Sequence, residues 1–116
     1  MINHYEFGKI IVNNKIYTSD IIICCGNVIP NWWRKEGHKL HLSDIKDLLE
    51  KSKPKILIVG CGANSVMEVL DEVKNYCLSH NITLYSLNTY DAVNLYNKLV
   101  SENKIQETVF CAHLTC

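Results

Sequence analysis

Two uninterrupted runs of apolar residues predict strands that are buried on both faces. They occupy residues 21–25 and 56–59, and β-branched residues dominate both. Gly26 follows the first run and Gly60 follows the second, so each run stops abruptly. We therefore expect two central strands, with flexible backbone at the end of each.

The N-terminal region shows shorter apolar and aromatic stretches at residues 5–12 and 15–18. Asn13 and Asn14 separate them and suit a two-residue turn in which both residues have positive φ. The pattern predicts a β-hairpin.

A helical period is visible directly after the second buried run. Its apolar positions recur at i, i+3, i+4, i+7 and i+11, which is typical of an amphipathic helix. These positions are Val66, Val69, Leu70, Val73 and Cys77. Asn64 or Ser65 could cap this helix, so a helix N-terminus is expected at the glycine turn.

The remaining pattern predicts alternating strands and helices. A strand over residues 82–87, a helix from Asn88 or Thr89 to about residue 102 and a last strand over 105–114 follow in order. Strand, helix and strand in succession imply a parallel pair joined by a right-handed crossover.

The middle of the chain is less regular. Residues 26–42 predict a long surface loop with a short strand at 38–42, because neither period is sustained. Ser43 could cap a short helix over 44–50.

The length and the net charge of the chain restrict the number of domains and the kinds of partner that we expect. The 116 residues suffice for a single domain, 1–116, and 12 basic residues balance 12 acidic ones, which disfavours nucleic acid as a partner. No apolar run approaches the roughly 20 residues of a membrane-spanning helix, and no signal segment is seen, so we expect a cytoplasmic protein without membrane insertion.

The six cysteines are expected to be reduced thiols in such a compartment. Four of them fall within predicted strands or helices and are interpreted as small buried apolar residues. These four are Cys24, Cys25, Cys77 and Cys111.

The glycine turn is the first candidate site. Its ligand-pocket candidates are Gly60, Cys61, Gly62, Asn64, Ser65, Thr89 and His113. A helix N-terminus at this turn would suit an anion or a small molecule. A dinucleotide is less well supported, because Ser65 replaces the third glycine and no acidic residue ends the next strand. Cys61 beside His113 would be a nucleophile of a hydrolase or transferase, whereas a small buried thiol is the simpler interpretation.

The loop after the first buried strand is the second candidate site. Its partner-surface candidates are Trp32, Trp33, Arg34 and His38. Tryptophan and arginine dominate the energetics of protein interfaces, so the loop points to a protein partner. The alternative is that the tryptophans cover an open face of the sheet.

Metal binding has little support in the sequence. The potential ligands match no known arrangement of a zinc site, so neither a metal nor a cofactor is predicted. These potential ligands are His38, His41, His113 and Cys116.

The order of several short motifs resembles a known family over nearly the whole chain. The motifs are Thr89-x-x-Ala92-x-x-x-Tyr96-Asn97-x-Leu99, His113-x-Thr115-Cys116, Gly60-x-Gly62 and the segment from Trp33 to His38. Together they resemble the small α/β family of the adipogenesis-associated domain protein and mitochondrial complex I assembly factor 3.

This resemblance implies a three-layer β/β/α fold with a central mixed sheet. Helices would lie on one side of the sheet and the N-terminal β-hairpin region on the other. Two residues depart from the family pattern: Cys61 stands where threonine is typical, and Glu107 where a basic residue is usual. The first departure weakens the hypothesis that Cys61 is a nucleophile shared by the family, and the second weakens the hypothesis of an anion site that uses the basic residue.

The sequence thus favours an uncharacterised binding or assembly-factor-like module. The alternative is a small-molecule or anion-binding protein, or an enzyme, with its site at the Gly60-Cys61-Gly62 turn. No complete catalytic constellation is present, so an enzyme is the less favoured class.

Overall fold

The computed structural model describes all residues, 1–116, and contains ten strands and three α-helices. In chain order these elements are β1 (Ile2–Glu6), β2 (Lys9–Val12), β3 (Lys15–Tyr17), β4 (Ile21–Cys24), β5 (Asn27–Ile29), β6 (Lys39–Leu40), α1 (Lys46–Ser52), β7 (Ile56–Cys61), β8 (Glu68–Val69), α2 (Asp71–Ser79), β9 (Thr83–Leu87), α3 (Thr89–Ser101) and β10 (Thr108–His113). Short 3₁₀ turns precede α1 and β10.

A five-stranded mixed sheet forms the centre, in the order β5-β4-β10-β7-β9. β10 is parallel to β7 and antiparallel to β4, and β7 is parallel to β9. The predicted parallel pair joined by a helix is confirmed as β7-α2-β9. All residues of β10 are buried, as expected for a strand covered on both faces.

The N-terminal region forms a separate three-stranded antiparallel sheet, β1-β2-β3. Asn13 and Asn14 have φ of 49° and 67°, which confirms the predicted turn. The stretch 5–12 is not one strand, because the chain turns at Gly8, with φ of 78°, and divides it between β1 and β2.

Two apolar cores lie on opposite faces of the central sheet. One core contains side chains of α3 together with the N-terminal sheet, for example Tyr96, Leu99 and Ile10. The other contains side chains of α1, α2, β6 and β8, for example Leu49 and Val73. The mixed α/β fold with its central mixed sheet is confirmed. The helices, however, are divided between the two faces, with α3 on the side of the N-terminal sheet.

The helix predicted directly after the glycine turn begins later than the sequence suggested. Ser65 has φ of 55°, which is incompatible with a helix, and Val66 is exposed. Met67 and Val69 are buried and Glu68 between them is exposed, which is the period of a strand. This segment forms β8, and α2 starts only at Asp71.

The predicted loop over 26–42 contains two short strands, β5 at the sheet edge and β6 paired with β8. The helix α1 begins after Ile45, and Ser43 does not cap it. No helix of the chain is both long and apolar enough to cross a membrane.

Candidate functional site

The candidate residues meet at the carboxyl ends of β7 and β10. Cys61 and His113 are direct neighbours in the parallel register of these strands. Asp20, which precedes β4, reaches the same end because β4 is antiparallel to β10. Carboxyl ends of parallel strands are where open α/β sheets bind their ligands.

Gly60 and Thr89 form the tightest contact at this end. A Cβ on Gly60 would lie 2.9 Å from Oγ1 of Thr89, so only glycine lets the first turn of α3 approach β7. Thr89 is fully buried, and its hydroxyl donates to the carbonyl oxygen of His113 at 2.7 Å. Thr89 therefore fastens α3 to both central strands.

Gly62 makes the turn itself and has φ of 103°. A Cβ at this position would lie 2.3 Å from the carbonyl carbon of Cys116, so the end of the chain covers the turn closely. The helix that begins beside the turn is α3 and not α2. Its first N–H, that of Thr89, donates to the carbonyl oxygen of Gly62.

The backbone donors of the turn already have partners within the protein. The N–H of Gly62 donates to Oγ1 of Thr89 at 2.9 Å. Those of Ala63 and Val66 donate to the carbonyl oxygens of Thr115 and Cys116, and that of Ser65 to Gly62. This arrangement gives an anion few free donors, because the donors expected to bind it are satisfied internally.

Cys61 is 3 % exposed and points into the core on the α1/α2 face. Its Sγ lies 3.3 Å from the hydroxyl oxygen of Ser86. Burial raises the pKa of the Cys61 thiol, an effect that Ser86 and the charge of Arg34 only partly oppose. His113 makes no hydrogen bond to it, so the geometry favours a neutral, buried thiol over a nucleophile.

A buried charged cluster lies beside Cys61, and its acidic member was missed by the sequence analysis. Oδ2 of Asp20 lies 2.9 Å from Nη1 of Arg34 and 2.9 Å from Nδ1 of His113. Its Oδ1 accepts a hydrogen bond from the N–H of Leu114 at 2.8 Å. The only signal in the sequence was one acidic residue directly before a buried strand.

The protonation of Asp20 follows from these contacts. Burial disfavours its carboxylate, but hydrogen bonds from His113 and Leu114 and the positive charge of Arg34 outweigh it. The pKa of Asp20 consequently lies below its ordinary value of 3.8. The carboxylate is ionised at neutral pH and compensates the buried guanidinium.

Arg34 links this cluster to the tryptophan loop. It is 8 % exposed, donates from Nη2 to the carbonyl oxygen of Gly37 at 2.9 Å and lies 4.6 Å from the ring of Trp32. Arg34 and the half-buried Trp32 are therefore structural parts of the loop and offer little surface to a partner. Trp33 is 78 % exposed, and His38 is also exposed.

Two donors in this region have neither a hydrogen-bond acceptor nor an ion-pair partner within the protein. They are the indole N–H of Trp32 and Nε–H of Arg34, both buried. An unpaired buried donor costs about 1–3 kcal/mol, so the region would be stabilised by an acceptor.

The other candidates lie further from the cluster or make weak contacts. Asn64 and Ser65 are exposed on the loop after the turn. His38 stacks edge-on against His113, and its Nε2 is 3.9 Å from Sγ of Cys116, whereas His41 pairs with Glu36. No group of three metal-ligating side chains is present.

Two cavities lie away from the glycine turn. One, of about 330 Å³, lies between the C-terminal ends of α1 and α2 and is lined by Tyr76, His80 and Glu50, among others. The other, of about 200 Å³, lies between β1 and α3. The glycine turn itself is covered by Cys116.

The cysteines fall into two groups. Cys77 and Cys111 are 1 % and 0 % exposed, which confirms them as small buried residues. Cys24 and Cys25 are only half-buried, because β4 ends at Cys24 and Cys25 already belongs to the following turn. The expectation of burial was wrong for this pair.

The fold and these sequence features define a family. Residues 2–113 match the family described as "Protein of unknown function (DUF498/DUF598)", and the chain belongs to it. The family description assigns no activity.

Solved structures show the same fold. The protein "MT938" is 26 % identical, with a TM-score of 0.78 over 100 % of this chain and 98 % of its own. The conserved hypothetical protein PH1505 of Pyrococcus horikoshii is 22 % identical, with a TM-score of 0.80 over 100 % and 99 %. An Mth938-like domain of Bordetella pertussis is 19 % identical, with a TM-score of 0.78 over 98 % and 85 %. The last two likenesses concern the fold alone.

Proposed function

We propose that the chain, as one domain over residues 1–116, is a cytoplasmic binding or assembly-factor-like module whose partner is a protein. In this proposal Trp33 is the anchor of the partner surface and His38 lies at its edge. The observation that carries it is the exposure of Trp33, 78 %, on a segment whose neighbouring residues are firmly held.

The contacts on both sides of Trp33 support this role. The N–H of Trp32 donates to the carbonyl oxygen of Asp20 at 2.8 Å, and that of Lys35 to Oδ1 of Asp44 at 3.1 Å. Arg34 is fixed by the buried charged cluster. A tryptophan on an already ordered loop loses little conformational entropy on binding, which is a property of interface hot spots.

The resemblance to the adipogenesis-associated domain protein and to complex I assembly factor 3 is part of the proposal. It supports an interaction module over an enzyme. Membership of a family of unknown function is compatible with that choice but does not select a partner, because one fold serves many functions.

The test compares two equally exposed apolar side chains. Trp33→Ala removes the proposed anchor, and Leu78→Ala on α2, where Leu78 is 77 % exposed, is the matched control. Proteins captured from native lysate by the wild type and by each variant are quantified by mass spectrometry, and direct affinity is then measured with the purified partner. We expect Trp33→Ala to weaken binding at least tenfold and Leu78→Ala to leave it unchanged. Equal binding by all three proteins would refute the assignment.

A second candidate is a small-molecule or anion-binding protein, or an enzyme, with its site at this end of the sheet. The unpartnered donors of Trp32 and Arg34 favour it, because a ligand with an acceptor group would satisfy them. Native mass spectrometry of the purified protein, compared with its denatured mass, tests this candidate. Excess mass that is lost on denaturation and is absent from Arg34→Met would support it, and a bare chain would favour the interaction module.

A further inference from the structure

A pair of adjacent thiols at the end of β4 is not used by the site above. Cys24 is the last residue of β4 and Cys25 the first residue of the turn to β5. Their Sγ atoms are 3.9 Å apart, and both side chains are half-buried, so solvent reaches them. Neither thiol belongs to the buried charged cluster at the opposite end of β4.

The backbone at Cys25 is unusual for a cysteine. Cys25 and Gly26 have φ of 53° and 81°, which is the mirror-image turn that favours Asn-Gly. Of the eight non-glycine residues with positive φ in this chain, five are asparagine. A cysteine at such a position is strained, and strain of this kind is often retained at functional sites.

The turn is held in place by the segment that precedes β10. A Cβ on Gly26 would lie 3.0 Å from Cδ1 of Ile105, so the turn packs directly on that side chain. Sγ of Cys25 also lies 3.9 Å from the carbonyl oxygen of Gln106. The two sulfur atoms are therefore presented by a supported turn.

The separation of the sulfur atoms matches a bound metal ion. With metal–sulfur distances of about 2.3 Å, two thiolates are about 3.8 Å apart at a tetrahedral angle and about 4.0 Å apart at a trigonal angle. The observed 3.9 Å falls between these values. An ion between the thiols could bind both without a movement of the backbone.

The electrostatics also favour a cation at this position. Two thiolates only 3.9 Å apart repel each other. A cation between the sulfur atoms removes that repulsion, and binding releases the thiol protons to solvent.

We propose that Cys24 and Cys25 form a two-thiolate site for a soft monovalent metal ion, copper(I). Thiolates select soft ions. Zinc would require further protein ligands, and no histidine, cysteine or carboxylate lies close enough to supply a third one. The 3.9 Å spacing fits trigonal copper(I), because two-coordinate copper(I) is linear and would hold the sulfur atoms about 4.6 Å apart, so an external thiol takes the third position. One copper(I) ion replaces the two protein thiol protons and the proton of the external thiol, and no electron is transferred.

The test is a copper(I) competition titration of the reduced, full-length chain under anaerobic conditions, with glutathione present as the external thiol. The protein withdraws metal from the coloured bicinchoninate complex, and the absorbance gives stoichiometry and affinity. We expect one equivalent for the wild type and for Cys116→Ser, the control for the Cys116–His38 contact. Cys24→Ser and Cys25→Ser should each weaken binding at least tenfold.

Cys25→Asn provides a variant that keeps the turn, because asparagine accepts positive φ. It should fold, as checked by circular dichroism, and bind copper(I) at least tenfold more weakly. The proposal is overturned if the wild type withdraws no copper(I), if Cys25→Asn binds as the wild type does, or if only Cys116→Ser loses binding. Zinc(II) binding of equal affinity would overturn the choice of metal.

Discussion

Asp20→Asn should destabilise the protein strongly, because Asp20 is the only carboxylate in contact with the buried Arg34. The Arg34 side chain is 4 % exposed and that of Asp20 is 18 % exposed. The substitution removes the negative charge and turns an amide NH₂ or a neutral oxygen toward two donors, Arg34 and His113. The guanidinium then remains buried without a counter-charge.

The magnitude follows from this geometry. Removal of one partner of a buried ion pair costs about 3–5 kcal/mol, and a domain of this size has a free energy of unfolding of about 5–15 kcal/mol. Asp20→Asn should therefore lower Tm by roughly 10–25 °C. The double variant Asp20→Asn/Arg34→Met should recover part of this loss, because it leaves no unpaired charge.

Chemical and thermal unfolding, followed by circular dichroism, measure this effect. Asp71→Asn is the control, since the Asp71 side chain is 92 % exposed and its ion pair with Lys74 is worth at most about 1 kcal/mol. A loss for Asp20→Asn no larger than that for Asp71→Asn would refute the reasoning.

The same contact predicts a pH dependence with a definite sign. The folded-state pKa of Asp20 is below 3.8, so its stabilising contribution is complete above that value and is lost as the pH falls through the folded-state pKa. Asp20→Asn should lack this component of the acid unfolding profile. Identical acid profiles for wild type and variant would contradict the assignment.

Three further predictions concern the turns and the thiols. Gly62→Ala should lower the free energy of unfolding by about 2–4 kcal/mol, because the added Cβ would clash with Cys116. Gly8→Ala is the control: a Cβ at Gly8 contacts nothing, so the loss should be only about 1 kcal/mol. Equal losses in urea titrations would contradict the close contact at Gly62. Cys61 should react with iodoacetamide at neutral pH more slowly than Cys25, as measured by mass spectrometry of the alkylated peptides. Faster alkylation of Cys61 than of Cys25 would support the hypothesis that Cys61 is a nucleophile. Cys25→Asn should raise the free energy of unfolding by about 0.5–1 kcal/mol and increase Tm, and a decrease would contradict strain at this turn.

The strands and the last helix could be predicted because their signals are local. The apolar runs of β4 and β7 and the asparagine turn at Asn13 and Asn14 were sufficient on their own. The helix after the glycine turn was predicted too early, because apolar residues at positions 66, 69 and 70 fit a helix and a strand equally well. Only the positive φ of Ser65 and the pairing of β8 with β6 distinguish the two.

The candidate site depended on contacts between distant segments. Thr89 and His113 were found through the resemblance, and the structure brings both to Gly62. The role of Asp20 could not be predicted, because it requires the antiparallel pairing of β4 with β10. Arg34 was assigned to the surface because residue type alone does not reveal burial.

The position of β10 in the sheet constrains the order of folding. β10 is the last of the ten strands, yet it lies between β4 and β7, and Phe110 pairs with Ile23, which lies 87 positions earlier in the sequence. During synthesis the edge of β4 that faces β10 has no partner strand, and the central sheet cannot form until β10 has emerged. Until β10 has been made, β4 and β7 of the nascent chain each keep an open, aggregation-prone edge, so assistance by a chaperone is most valuable in that interval.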